Sequence, residues 1–137
     1  MSQNAEVLRE IYELMNTHFA ELKSGDLGAL FAFFDPDVVI EVVDAPDPGT
    51  YHGHDGVRRW FNDTFGVWKT VRVEAEDVRE SGEWTVALLQ VHLRGEASGV
   101  EVAVPLAALH QFRDGRIVRD RVYLNRAEAL EAVAPEK

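Results

Sequence analysis

The sequence predicts an α+β fold, with helices mainly in the first half of the chain and an antiparallel sheet in the second. Residues 4–24 place apolar side chains at helical spacing, whereas residues 68–124 alternate apolar and polar side chains as strands do. The turn sequences Ser81-Gly82 and Asp114-Gly115 join consecutive strands. Helices gathered before an antiparallel sheet define the α+β class. A strongly curved sheet around the long first helix would form a cone that is open at one end.

Length and composition predict one domain, residues 1–137, and exclude several classes of function. A chain of 137 residues with 46% hydrophobic content is long enough for a real core. A net charge of -10 repels phosphate backbones and anionic lipids, so we expect neither nucleic acid nor membrane as a partner. The absence of cysteine excludes disulfides and thiolate catalysis. No signal peptide and no membrane-length apolar run is visible, which predicts a cytoplasmic protein.

Helices are predicted at three places before the long strands. The first covers residues 4–24 and stops at Gly25, and Asp26 caps a short second helix that runs through residue 34. The third begins at Asp55 and ends before Gly66. His18 falls on the apolar stripe of the first helix, where a histidine is most often a partly buried residue with one hydrogen bond.

The first strand is predicted at residues 38–43, after a turn at residues 35–37. Residues 44–53 form a loop by their proline and glycine content. His52 lies in this loop and His54 directly follows it, and the pair could in principle bind a metal ion. No carboxylate stands at a recognised metal-ligand spacing from them, so we predict no metal site. Strands at residues 68–79 and 84–94 follow.

The hairpin at residues 99–124 is the segment around which the fold is organised. Its first strand carries His110 on a face that is otherwise mostly apolar, and its second carries Asp120 among valines and a leucine. One ionisable group on each apolar face is typical of a cavity wall. A short last helix begins after Asn125, which with Glu128 resembles a capping box.

Five segments in this order resemble the NTF2-like superfamily, and within it the SnoaL-like proteins. They are SGDL (24–27), FDPDV (34–38), YHGHDGV (51–57), RDGRIV (113–118) and YLNRAEAL (123–130). The resemblance covers nearly the whole chain and implies an NTF2-like cone with a central pocket. The superfamily contains isomerases, epoxide hydrolases, dehydratases, polyketide cyclases and non-enzymatic members, so function has to be argued from the pocket.

Carried over residue by residue, the resemblance speaks against two of these mechanisms. The ketosteroid isomerase tyrosine falls at His18, its catalytic aspartate at or beside Val42, and its protonated aspartate near Ala108. The last aspartate of the epoxide hydrolases falls at Val122. The carboxyl and phenol groups of those mechanisms are therefore missing or altered here.

The resemblance instead puts His110 and Asp120 on the pocket face, with His18 projecting over the same cavity. A histidine paired with a carboxylate in a desolvated cleft is a natural general acid/base unit, because the carboxylate holds the imidazole tautomer. We therefore predict His18, His110 and Asp120 as catalytic residues. The predicted pocket lining is Val42, Trp60, Phe65, Trp68, His92, Val104, Ala108 and Val122.

These predictions favour a small cofactor-independent lyase, isomerase or cyclase that acts on a hydrophobic oxygenated small molecule. Two alternatives stay open: a ligand-binding module with the same cavity and no chemistry, and an interaction domain whose cavity is filled by side chains. His110 and Asp120 could also form a structural contact in the hairpin, or Asp120 could pair with Arg94 or Arg121. The resemblance further implies a homodimer formed through the outer face of the sheet, where Arg119, Arg121 and Tyr123 are expected.

Overall fold

The computed structural model describes residues 3–44, 49–95, 97 and 99–134. Helices and strands follow in this order: α1 Gln3–Thr17, α2 Phe19–Lys23, α3 Gly28–Phe31, β1 Phe34–Val42, β2 Gly49–His52, α4 Gly53–Phe65, β3 Trp68–Ser81, β4 Trp84–Gly95, β5 Glu101–Arg113, β6 Arg116–Tyr123 and α5 Arg126–Ala132. The predicted α+β class is confirmed. The four long strands lie within two residues of their predicted bounds, because their alternation and their turns are both encoded locally.

The strands form one six-stranded curved, unclosed sheet in the order β2-β1-β6-β5-β4-β3. Consecutive strands β3 to β6 pair antiparallel, as the turn sequences predict. The turn before β6 places both Asp114 (φ 54°) and Gly115 (φ 80°) in the left-handed region, as a tight hairpin turn requires. Strand β1 instead pairs parallel with β6. No local pattern predicts that pairing, because it joins two strands that lie far apart in the chain.

Helix α1 packs on one face of the sheet, which we call the inner face. Its buried side chains Leu8, Ile11 and Met15 join the main core with residues of α4 and of the strands. Asn16 fastens the helix to the edge strand β3: its side chain donates to the carbonyl oxygen of Val73 at 2.9 Å and accepts from the N–H of Val73 at 2.7 Å. At Val73 the helix therefore occupies backbone groups of the edge strand that would otherwise be open to pairing with another chain.

Helix α5 covers part of the opposite, outer face. Ala129 packs there in a second buried cluster with Val86, Leu109 and Tyr123. The predicted cap is confirmed, since the side chain of Asn125 accepts a hydrogen bond from the N–H of Glu128 at 3.1 Å. None of the helices in the described part of the chain has the length and apolarity that a membrane crossing needs.

Several predicted boundaries were wrong. The short second helix runs over Gly28–Phe31 after Leu27, not from Asp26 through residue 34. The first helix is not continuous over 4–24, because it breaks at His18, whose backbone (φ -125°, ψ 29°) is not helical. Strand β1 begins at Phe34 and includes the predicted turn, where the side chain of Asp35 accepts from the N–H of Asp37 at 2.9 Å. Helix α4 begins at Gly53, so Asp55 lies in its first turn and does not cap it. Of the predicted loop, residues 45–48 lie outside the described residues, and Gly49–His52 is strand β2.

Candidate functional site

A cavity lies between α1 and the inner face of the sheet. It offers about 60 Å³ to the centres of water-sized molecules, several times the roughly 10–15 Å³ that one water needs by the same measure. Its walls come from α1, α3, α4 and five strands: Leu8, Ile11, Tyr12, Met15, Leu30, Phe34, Trp60, Phe65, Val73, Leu89, Val91, Leu106, Ala108, His110, Ile117, Asp120 and Val122. The space is therefore not filled by side chains.

His110 and Asp120 meet in the wall of this cavity. Their Cα atoms are direct partners across β5 and β6, so both side chains point to the inner face at the same level of the sheet. The side chain of each is only 7% exposed, and Nδ1 of His110 bonds to Oδ1 of Asp120. The contact therefore forms in a site largely shielded from water, where a charge–dipole interaction is strong.

Tyr12 of α1 completes a chain of three polar groups. Its hydroxyl lies 3.4 Å from Nε2 of His110, at the long end of the hydrogen-bond range. Burial raises the pKa of Tyr12 above its usual value, and the negative charge of Asp120 raises it further, while Arg9 acts weakly in the opposite direction. Tyr12 therefore keeps its proton and remains a hydrogen-bond donor.

The order of these bonds sets the tautomer of the imidazole. An ionised carboxylate only accepts, so Nδ1 of His110 carries the proton in the bond to Asp120. In the neutral ring Nε2 is then an acceptor, and the hydroxyl of Tyr12 donates to it. The acceptor nitrogen thus lies on the tyrosine side of the ring, between two residues that both line the cavity.

The match to known families agrees with this architecture. A family model described as SnoaL-like domain matches residues 15–120. The chain belongs to the SnoaL-like family. None of the curated proteins matches it significantly in sequence.

Solved structures place the SnoaL-like chain in the NTF2-like superfamily. An NTF2-like protein of unknown function from Burkholderia pseudomallei shares 26% identity over 98% of this chain and 100% of its own, with a TM-score of 0.68. A putative SnoaL-like polyketide cyclase from Jannaschia sp. CCS1 shares 17% over 98% and 94%, with a TM-score of 0.70. The epoxide hydrolase/cyclase-like enzyme SalBIII, described with a role in pyran ring formation in salinomycin, shares 18% over 88% of both chains, with a TM-score of 0.65. The chain therefore has the NTF2-like fold.

Only part of the predicted lining of the SnoaL-like domain borders the cavity. Trp60, Phe65, Ala108 and Val122 do so. The other four predicted positions do not: Val42, Trp68, His92 and Val104. Val42 instead lines a surface depression beside β2. Val104 stands near the start of β5, and the cavity wall begins at Leu106, the next residue on the same face of that strand.

His92 and His18 both lie away from the cavity. Nε2 of His92 is 2.9 Å from Glu74 of the neighbouring strand, on the outer face of the sheet. The prediction that His18 projects over the cavity was wrong. Because the helix breaks at this residue, its side chain is 57% exposed and lies 3.9 Å from Glu21.

Tyr12 is the functional candidate that the sequence analysis missed. It stands four residues after Leu8 and three before Met15, so it belongs to the middle of the stripe that faces the core. Tyr12 lies at the centre of the apolar stripe, whereas His18 lies at its end, so the pattern favours Tyr12 as the residue that faces the core.

His52 and His54 do not form a common site. Nε2 of His54 lies 2.9 Å from the carbonyl oxygen of Phe34, and its ring stacks on Phe31. His52 is exposed at the residue that precedes α4. Among the residues with described positions, no group of three potential metal ligands occurs.

Proposed function

We propose that this SnoaL-like domain is an acid–base enzyme of the lyase, isomerase or cyclase type, acting on a hydrophobic oxygenated small molecule without a cofactor. The observation that supports this most directly is the bonding of His110: Asp120 holds Nδ1, and Nε2 faces a cavity-lining hydroxyl. This arrangement orients a base and leaves its reactive nitrogen toward the space where a ligand would bind.

In the proposed reaction an oxygen atom of the ligand accepts the hydrogen bond that the hydroxyl of Tyr12 otherwise donates to Nε2 of His110. The freed Nε2 then accepts a proton from the carbon next to a carbonyl group. The electron pair of the broken C–H bond forms the C=C bond of an enolate while the π pair of the carbonyl group moves to its oxygen, which accepts the hydrogen bond from Tyr12. The imidazolium, stabilised by Asp120, returns its proton to a carbon atom of the enolate as the carbonyl group re-forms. A positioned acid/base group of this kind contributes about 10²–10⁴-fold to the rate.

Deuterium exchange tests the proton transfer without knowledge of the natural substrate. Small ketones that bind are incubated with the protein in D₂O, and deuterium at the α-carbon is followed by NMR. We expect the wild-type protein to accelerate exchange and His110→Gln to abolish the acceleration. A ketone that binds and shows no accelerated exchange would instead assign the domain to ligand binding without chemistry.

A further inference from the structure

We propose that the substrate is an uncharged molecule with a single oxygen function on an otherwise apolar skeleton. This inference rests on the proposed function, and it concerns which molecules the cavity accepts. Such a specificity would distinguish this site from one that binds a chain or ring system bearing several carbonyl and hydroxyl groups.

The polar groups of the cavity are gathered at one place. Tyr12, His110 and Asp120 are bonded in series, and the bond to Nδ1 occupies Oδ1 of the buried carboxylate. The hydroxyl of Tyr12 and Nε2 of His110 are therefore the groups best placed to turn toward a ligand. Both reach the same point, so they can serve one oxygen atom and the carbon beside it.

The rest of the described lining is almost entirely hydrocarbon. The remaining heteroatoms are the thioether of Met15 and the indole nitrogen of Trp60, a half-buried residue. Leu106 lies four residues from His110 on the same face of β5, which is about 13 Å along the strand. Backbone groups in the sheet and helix walls are largely engaged in their own ladders.

A second ligand oxygen would therefore enter an apolar wall and lose its hydrogen bonds to water. An unpartnered buried polar group of this kind weakens binding by about 5- to 100-fold. Charge adds to this selection, because no lysine or arginine occurs among the described lining residues and Asp120 already contributes a carboxylate. A ligand with a carboxylate or phosphate would thus be desolvated beside a like charge.

The test compares three ligands on one ring: cyclohexanone, cyclohexane-1,4-dione and cyclohexanecarboxylate. Dissociation constants are measured by ligand-observed NMR titration, and the value for the dione is corrected for its two equivalent ends. We expect cyclohexanone to bind at least fivefold more tightly than the dione and the carboxylate to be weaker still. Equal or tighter binding of the dione, or no detectable binding of cyclohexanone, would overturn the inference.

Two variants test whether the apolar wall sets the preference for the ketone, or whether the different hydration of the two ligands does. Val91→Thr places a hydroxyl in the apolar wall with almost no change of volume. We therefore expect it to reduce the ratio between the dissociation constants of the dione and the ketone. Val73→Thr is the second such variant if the first does not fold. An unchanged ratio in both would show that the wall does not set the preference and would also overturn the inference.

These experiments can contradict the binding preference and the proposed proton transfer separately. Cyclohexanone that binds selectively but exchanges no deuterium contradicts the proposed function and leaves the binding preference standing. Exchange that proceeds equally well with the dione, bound as tightly as the ketone, contradicts the single-oxygen inference and leaves the acid–base role of His110 standing.

Discussion

Asp120 stands directly opposite His110 across β5 and β6, and the imidazole lies between its carboxylate and the hydroxyl of Tyr12. The carboxylate is therefore not a surface partner of Arg94 or Arg121, two alternatives that the sequence left open. Because both side chains are nearly buried, a change at either one alters the orientation of the other more than it would at the surface.

Asp120→Asn is expected to preserve the fold and lower turnover at least tenfold. Asparagine is of similar size, but it carries no charge to stabilise the imidazolium, and its amide can present a donor to Nδ1 and reverse the tautomer. The measurement is the rate of deuterium exchange, with the melting temperature followed by circular dichroism. Asp114→Asn in the hairpin turn is the matched control, because asparagine tolerates the left-handed backbone there. Unchanged exchange in Asp120→Asn would remove the aspartate from the mechanism.

Tyr12→Phe is expected to make the free energy of unfolding fall less steeply as pH rises in the alkaline range. The pKa of Tyr12 is raised in the folded protein from its usual value of 10.0, so above that pH the unfolded chain releases this proton while the folded protein keeps it. The tyrosine thus contributes a loss of stability of about 1.4 kcal/mol per pH unit as pH rises above its unfolded pKa. Urea unfolding between pH 8.5 and about 11.5 measures this, and parallel curves for the two proteins would contradict it.

Ala108→Leu is expected to fill part of the cavity and abolish ligand binding without unfolding the protein. Ala108 lines the cavity, whereas its neighbour Ala107 faces α5 and is fully buried. A ligand at one hundred times its Kd stabilises the wild type by about 2.7 kcal/mol, and this thermal shift should vanish in the variant. Ala107→Leu should instead overpack the outer cluster and cost about 1–3 kcal/mol. A full ligand shift in Ala108→Leu would place the binding site elsewhere.

Asn16→Ala is expected to destabilise the protein by about 1–3 kcal/mol, because it removes two hydrogen bonds to the edge of β3. Hydrogen exchange should become faster at the amide of Val73, which donates to the asparagine side chain. Asn62→Ala, on the exposed side of α4, is the control for loss of an asparagine in a helix. Equal protection of the Val73 amide in Asn16→Ala and wild type would show that another group covers this edge.

His18→Gln is expected to leave deuterium exchange within about twofold of the wild type. The side chain is exposed at the break between α1 and α2, where substitutions usually change stability by no more than about 0.5 kcal/mol. A large fall in exchange would mean that the helix moves to bring His18 over the cavity when a ligand binds.

Periodicity and turn chemistry are local properties, and they determined the class of the fold and the long strands. The alternation in β5 and β6 was sufficient to put His110 and Asp120 on apolar faces. The turn at Asp114-Gly115 does not by itself set the register in which they meet, because the pairing shifts by one residue between Gln111 and Phe112 and only this irregularity brings Asp120 opposite His110. The capping of α5 by Asn125 was also readable, because its partner lies three residues away.

Which polar groups come together was decided only by the tertiary structure. Tyr12 and His110 are separated by 98 positions in the chain, and their contact depends on how α1 crosses the sheet. His18 was misplaced because helical periodicity holds only while the helix is continuous, and one non-helical residue turns the side chain to solvent. The sequence by itself thus determined the faces of the elements. The packing of the helix against the sheet, which minimises exposed apolar surface over the whole chain, decided which residues share the cavity.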